Sequence, residues 1–313
     1  MNLLPVGFYD LIFDEAEKSF IDANNAISYL LKEKYRLIKP PLIEFDNSYQ
    51  AANDNDYLVT TDGVSGRKIA LRSDITLQIK RILATRLKQQ KLPLKLCYIG
   101  DVIRAKSEDL YADRQQTQIG FEIIGIKKDE QDLLVIKNLV EILQKIEVND
   151  LSFNIILPSF LDLFLSAINV GQKELLKTAI LHKNLTDIAE ICPNYCDILH
   201  KIVRFNNNFG EIIKEIKQKI NLPAINLELA RVEKINNFFL KNFNRIQINF
   251  DLFGDQNSEY HQDLYFEVFV PDFKYAIAKG GCYQISNQDN NILAIGATIY
   301  ANYLRKIHAS HNS

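Results

Sequence analysis

Two stretches of strand-forming residues, 95–104 and 117–126, are separated by a short polar segment and restrict the possible folds most strongly. Along the second stretch, apolar side chains alternate with polar or small ones: Ile119, Phe121 and Ile123 against Gln118, Gly120 and Glu122. A period of two indicates a β-strand with one apolar and one polar face. We expect the two strands to pair in a hairpin-like, antiparallel manner. The polar face either meets solvent, as is common in antiparallel sheets, or lines a ligand pocket.

The rest of the chain mixes helices with short strands. Apolar residues recur at helical spacing after Asp14, after Ser73 and over 133–143, and each run predicts an amphipathic helix. Short strands are predicted at 35–39, 58–60, 68–71, 151–157, 246–253, 264–270 and 274–279, with a final helix starting near Ile295. Residues 158–245 have an almost entirely helical pattern, which we interpret as a helical insert in one domain spanning 1–313. The expected class is α+β, a mainly antiparallel sheet flanked by helices.

Composition argues against several functional classes. The 313 residues are 47% hydrophobic, enough for a sizeable core, and the net charge of −2 provides no broad basic surface for nucleic acid. One basic cluster alternates with core-facing apolar residues, so we expect it to be a solvated helix face: Lys80, Arg81, Arg86, Lys88 and Lys91. No segment approaches the ~18 apolar residues of a membrane span, and no signal segment is recognisable, so a cytoplasmic location is expected.

The chain has four cysteines: Cys97, Cys192, Cys196 and Cys282. Cys192 and Cys196 have neither the spacing nor the histidine partners of a zinc site. We therefore expect buried, reduced thiols, with no bound metal and no cofactor.

Residues 71–76 and 96–104 resemble two segments of the histidyl-tRNA synthetases, the substrate loop and the first strand of motif 2. Further matching positions occur in that family's order: residues 4–10, the motif 1 segment 41–44, Arg114, Gln115, Gln118, Gly120, Glu122, Gly125, and the glycine pair of 280–283. The series implies a class II aminoacyl-tRNA-synthetase-like core that forms a homodimer through the motif 1 region. Because the sequence stops at Ser313, we expect no anticodon-binding domain and no tRNA partner.

The departures from that family concern its charged catalytic residues. The motif 3 arginine falls at Tyr303, the arginine that assists histidine activation at Gln256, and a motif 2 glutamate at Lys106. The Gly-Gly-Arg-Tyr-Asp segment has cysteine in place of arginine at Cys282 and glutamine in place of aspartate at Gln284. Losing two charged contacts of about 1.5–3 kcal/mol each would slow adenylation roughly a hundred- to ten-thousandfold. The sequence therefore predicts no catalytic residue.

A synthetase core without this chemistry resembles one paralogous family, the regulatory subunits of short-form ATP phosphoribosyltransferase. Residues 260–271, with their histidine and valine-proline ending, resemble that family more than the synthetases. The resemblance implies a non-catalytic subunit of a hetero-octamer in the first step of histidine biosynthesis. It would activate the catalytic subunit and mediate feedback inhibition by histidine. Two alternatives stay open, a degenerate histidyl-tRNA-synthetase-like ligase and a stand-alone histidine sensor.

The resemblance also implies a pocket for a free amino acid, histidine first of all. The predicted pocket residues are Asp74, Thr76, Arg104, Gln118, Glu122, Tyr260, His261 and Tyr283. Asp74 and Thr76 would hold the ligand ammonium, and Arg104 would pair with its carboxylate. Tyr260, His261 and Tyr283 would frame the imidazole ring. In the alternative, these polar groups only satisfy one another in an empty cleft, with Arg104 paired to Asp74 or Glu122.

Overall fold

The computed structural model describes most of the chain and divides it into two compact units. The described residues are 3–46, 57–106, 113–126, 128–168, 170–204, 209–220, 222–254, 263–287 and 290–311. The first unit comprises Met1–Lys127, Leu134–Asn149 and Gln284–Ser313, and the second comprises Lys128–Leu133 and Asp150–Tyr283.

The elements follow one another in mixed order along the chain. They are α1 (Asp14–Lys32), β1 (Arg36–Ile38), β2 (Ile43–Phe45), β3 (Val59–Thr61), β4 (Lys68–Leu71), α2 (Ile75–Thr85), β5 (Leu94–Ile103), β6 (Gln115–Ile124), α3 (Lys128–Lys145), β7 (Ser152–Ile156), α4 (Pro158–Ala167), α5 (Lys173–Leu181), α6 (Leu185–Ile191), α7 (Cys196–Val203), α8 (Phe209–Lys219), α9 (Pro223–Asn242), β8 (Gln247–Asp251), β9 (Tyr265–Phe269), β10 (Ala278–Asn287), β11 (Asn290–Tyr300) and α10 (Ala301–His311). None of the described helices combines the length and apolar composition needed to span a membrane.

The predicted strand pair at 95–104 and 117–126 is confirmed as β5 and β6. The two strands pair antiparallel from Leu94 opposite Ile124 to Ile103 opposite Gln115. In the first unit the strand order is β1-β5-β6-β11, and β11 also runs antiparallel to β6. Nearly all of β6 is buried, on both faces. The solvent-facing interpretation of its polar side is therefore wrong, and buried polar groups lie on that face.

A small antiparallel sheet of order β2-β4-β3 also belongs to the first unit. The turn between β3 and β4 begins at Asp62, whose side-chain oxygens accept hydrogen bonds from the backbone N–H groups of Val64 and Ser65. Helix α2 follows β4 directly and buries Ile75, Ile79 and Leu83, which share one helical face. Its first residues are thereby held against the long strands of this unit.

In the second unit the strand order is β10-β9-β7-β8. Strands β9 and β10 pair antiparallel, as do β7 and β9, while β7 and β8 run parallel. Helices α4 to α9 occupy the residues between β7 and β8, which is the predicted helical stretch 158–245. The structure groups this stretch with the four strands in one unit, so the division into a single core domain with an insert stays a prediction.

The expected α+β class holds, but the prediction of a mainly antiparallel sheet needs correction. Each unit contains one parallel pair, β1 with β5 and β7 with β8. Parallel neighbours require a long crossover connection, and both pairs have one. Helices α4 to α9 connect β7 to β8, and the small sheet with α2 lies between β1 and β5 along the chain. The sheets are mixed for this reason.

The predictions near the C-terminus were partly wrong. Residues around Ile295 form strand β11 rather than the start of a helix, and α10 begins at Ala301. The apolar, β-branched run fits either structure by its local pattern. The run forms a strand because it pairs with β6, starting with Ala294 opposite Ile124. The predicted strand at 274–279 begins only at Ala278.

Candidate ligand-binding site

Asp74 and Gln118 join the start of α2 to strand β6 in the first unit. Asp74 is the N-cap of α2, and its Oδ1 accepts a hydrogen bond from the backbone N–H of Thr76 over 2.7 Å. Its Oδ2 accepts from Nε2 of Gln118 over 3.2 Å, and the other end of that amide accepts from the backbone N–H of Ile75. Both ends of the Gln118 amide are therefore used to fix the helix terminus.

Glu122 lies four residues after Gln118 in β6 and therefore on the same polar face. Its Oε1 accepts a hydrogen bond from Oγ1 of Thr76 over 3.2 Å. The hydroxyl of Tyr98 on β5 lies 2.8 Å from Oγ1 of Thr298 on β11. Burial, with the charges of Glu122 and Asp74, raises the pKa of Tyr98 well above its usual value. Tyr98 is therefore a neutral hydrogen-bonding group in this network.

Two glycines make room for these side chains. Gly296 lies opposite Glu122 in the β11–β6 pair, and a Cβ at position 296 would overlap Oε2 of Glu122. Gly120 lies opposite Tyr98, and a Cβ there would overlap the phenol ring. A glycine inside a strand often marks such a close approach. Gly120 and Gly296 are therefore the signals in the sequence that could have indicated the positions of Tyr98 and Glu122.

The first unit thus brings together four predicted pocket residues: Asp74, Thr76, Gln118 and Glu122. Gln118 and Glu122 are only 1% and 2% exposed. Arg104 follows the end of β5 and is half-buried, with its backbone N–H donating to the carbonyl oxygen of Arg114 over 2.9 Å. Tyr283 is buried on β10 in the second unit. Tyr260, His261 and Gln256 lie outside the described residues.

Part of the basic cluster was misjudged as a solvated helix face. Arg81 forms an ion pair with Glu44, its Nε donating to Oε2 over 3.1 Å. Lys80 is half-buried. Burial lowers the pKa of Lys80, whereas the carboxylates of Glu122 and Asp74 act in the opposite direction and raise it. The prediction is wrong for these two residues, while Arg86, Lys88 and Lys91 are exposed as expected.

Residues at the start of β6 bind the first turns of α10. Nε2 of Gln116 donates to the hydroxyl of Tyr303 over 2.9 Å. The buried carboxylate of Asp113 accepts from Nδ2 of Asn302 over 3.0 Å and from Nζ of Lys306 over 2.8 Å. At the position where the synthetases place the motif 3 arginine, the chain therefore has a phenol that is engaged in an internal hydrogen bond.

A second polar cluster, which the sequence did not reveal, lies in the second unit around Arg231. Its Nε and one terminal nitrogen donate to both oxygens of Asp132 over 2.5 and 2.9 Å, and the other nitrogen bonds Asp263. Burial lowers the pKa of Arg231, but the hydrogen bonds and charge of Asp132 outweigh it, and the pKa is raised. Sγ of Cys282 lies 3.7 Å from the guanidinium and from Asp132.

Cys282 stands where the synthetases have the arginine after the glycine pair. Burial raises the pKa of its thiol well above the usual value, so the thiol is neutral. All four cysteines are free, and Cys97, Cys192 and Cys282 are buried while Cys196 is half-buried. Among the described residues, no group of three or more His, Cys, Asp and Glu side chains could hold a metal ion.

Comparison with known proteins agrees with this architecture. A family model described as Histidyl-tRNA synthetase matches residues 7–304. An ATP phosphoribosyltransferase regulatory subunit from Thermoanaerobacter sp. (strain X514) is 30% identical over 292 residues, which cover 90% of this chain and 76% of the relative. The chain belongs to the histidyl-tRNA-synthetase-like family of ATP phosphoribosyltransferase regulatory subunits. Another relative with that description, from Paramagnetospirillum magneticum, is 28% identical over 304 residues, covering 95% of this chain and 79% of the relative.

Solved structures of this and related families share the fold. An ATP phosphoribosyltransferase regulatory subunit/histidyl-tRNA synthetase from Bacillus halodurans has a TM-score of 0.82 at 20% identity, covering 98% of this chain and 83% of that one. A chain of the ATP phosphoribosyl transferase (HisG:HisZ) complex from Thermotoga maritima has a TM-score of 0.68 at 19% identity, covering 93% and 98%. The resemblance seen in the sequence is confirmed, both for the class II synthetase-like fold and for the regulatory-subunit family.

Proposed function

We propose that this chain is the non-catalytic regulatory subunit of a short-form ATP phosphoribosyltransferase, acting in the cytoplasm in the first step of histidine biosynthesis. The observation that carries the proposal is 30% identity over 292 residues to relatives described as ATP phosphoribosyltransferase regulatory subunits. The chain binds the catalytic subunit in a hetero-octamer, raises its turnover and mediates inhibition by histidine. The fold shared with a chain of the HisG:HisZ complex supports assembly with such a partner.

The side chains at the former catalytic positions support a role without chemistry of its own. Activation of an amino acid with ATP requires cations that neutralise phosphate charge in the transition state. Tyr303 instead accepts a hydrogen bond from Gln116, and the neutral thiol of Cys282 adjoins the ion pair of Arg231 with Asp132. Catalysis therefore resides in the partner subunit.

Histidine is the proposed ligand of the site formed by Asp74, Thr76, Gln118 and Glu122. The two carboxylates and the hydroxyl suit a ligand ammonium, and Arg104 is the proposed partner of the ligand carboxylate. Their present hydrogen bonds, such as Thr76 to Glu122 over 3.2 Å, keep these groups oriented without a ligand. That Tyr260, His261 and Tyr283 frame the imidazole ring stays a prediction from the family resemblance.

A homodimer through the motif 1 region is part of the same proposal. Large apolar side chains of α1, β1 and β2 are exposed, including Phe20 at 74%, Leu37 and Ile43. Exposed apolar residues concentrated in this way are typical of a protein interface. Phe20→Glu should convert the dimer to a monomer in light scattering, whereas Leu240→Glu, at an exposed leucine of the second unit, should leave it dimeric.

The regulatory role can be tested by mixing the purified chain with a short catalytic subunit. Turnover should rise and both proteins should co-elute, and added histidine should then inhibit. Glu122→Gln should weaken inhibition while leaving co-elution unchanged, and Glu174→Gln, at an exposed glutamate of α5, should change neither. Unchanged turnover without co-elution would contradict the proposal. Histidine-dependent pyrophosphate exchange would favour a ligase, and histidine binding without any complex would favour a stand-alone sensor.

A further inference from the structure

Helix α2 carries a lysine on the face that it presents to the candidate site. We propose that Lys80 is the built-in counter-ion of Asp74 and Glu122, occupying the place of a ligand ammonium and so weakening the binding of free amino acids. The inference rests on the proposed histidine site and adds a residue that determines its specificity.

The geometry of α2 directs Lys80 toward the site. Lys80 lies four residues after Thr76, so the two side chains project from the same face, about 5–6 Å apart at their Cβ atoms. Side chains of an α-helix lean toward its N-terminus, which here is capped by Asp74. A lysine stem at position 80 therefore extends back toward Thr76, whose hydroxyl donates to Glu122 over 3.2 Å.

The charges of the site agree with this direction. Lys80 is half-buried, and the charges of Glu122 and Asp74 act on it. These are the same carboxylates that the proposed function assigns to the ligand ammonium. A buried carboxylate is stabilised when a cation lies nearby, so the lysine satisfies the site in the absence of a ligand. An amino acid must displace that cation before its own ammonium can bind.

The consequence is a preference that depends on the ligand's amino group. Histidine carries a free ammonium and competes with Lys80 for the carboxylates. Imidazolepropionic acid, which is histidine without its amino group, does not compete. Removing the lysine should therefore strengthen binding of histidine and leave binding of the des-amino compound nearly unchanged.

Calorimetric titration of the full-length chain tests this expectation. In Lys80→Met the Kd of histidine should fall at least tenfold, and the Kd of imidazolepropionic acid should change less than threefold. Lys88→Met, at an exposed lysine just beyond α2, should keep the wild-type Kd for both compounds. An unchanged or higher Kd of histidine in Lys80→Met would overturn the proposal.

A second measurement, made without ligand, separates this proposal from the histidine site itself. The urea midpoints of Lys80→Met, Glu122→Gln and the double variant form a double-mutant cycle. Non-additive shifts would support the counter-ion assignment. If neither the wild type nor the variants bound histidine, that result would refute only the histidine site. Additive shifts would overturn the counter-ion assignment whatever the titration shows.

Discussion

The hydroxyl of Tyr303 on α10 accepts a hydrogen bond from the side-chain amide of Gln116 on β6, over 2.9 Å, and both side chains are buried. A synthetase would present an arginine from this helix position to a nucleotide. Here the position serves the packing of α10 against the start of β6. Tyr303 has therefore become part of the structure of the first unit.

Tyr303→Phe should lower the free energy of unfolding by about 1–3 kcal/mol, because the buried amide donor of Gln116 loses its acceptor. Urea denaturation measures this loss. Tyr9→Phe, at a tyrosine that is 54% exposed, is the matched control and should change stability by less than about 0.5 kcal/mol. Equal stability of the two variants would show that the Tyr303 hydrogen bond contributes nothing.

Gly296→Ala should lower stability by about 1–3 kcal/mol, because the added methyl group overlaps the carboxylate of Glu122 and lies 2.6 Å from the carbonyl oxygen of Phe121. It should also weaken histidine binding, since Glu122 must move. Gly171→Ala is the control, with nothing within 4 Å of its new methyl group. Thermal unfolding and titration of both variants check the expectation, which fails if Gly296→Ala matches the control.

Arg231→Met should lower the free energy of unfolding by about 3–5 kcal/mol, because the buried carboxylate of Asp132 loses its bidentate partner. Arg204→Met, at an exposed arginine of the same unit, should have little effect. Chemical denaturation of both variants measures the difference. A loss below about 1 kcal/mol in Arg231→Met would mean that Asp132 finds another partner.

Stability should fall as the pH rises from 9 to 11. Burial raises the pKa of the Cys97 thiol from 9.0 to about 11. A raised pKa in the folded state means that the neutral thiol stabilises the fold below pH 9 and that this contribution is lost as the pH rises through about 11. Urea midpoints measured across this range should fall less steeply in Cys97→Ala than in wild type. Identical slopes would show that Cys97 ionises equally in both states.

Much of the fold could be read from local sequence pattern. The alternation in residues 117–126 predicted β6, and its antiparallel partner β5 followed from the short connection between them. The ordered motif segments identified the family. The same segments named Asp74, Thr76, Gln118 and Glu122, which the structure places together. These features depend on residue periodicity and on side-chain types at fixed spacing, and a single chain displays both.

Tertiary structure alone decided the features that depend on distant neighbours. The run near Ile295 became a strand because β6 offered it backbone partners. The sheets became mixed because long crossovers separate β7 from β8 and β1 from β5. Lys80 is not solvated because other elements half-bury it and expose it to the charge of Glu122 on β6. Arg231 forms an ion pair with Asp132, which lies 99 residues away in the sequence. Periodicity fixes which face of an element is apolar, but only packing determines which charged group stands opposite another.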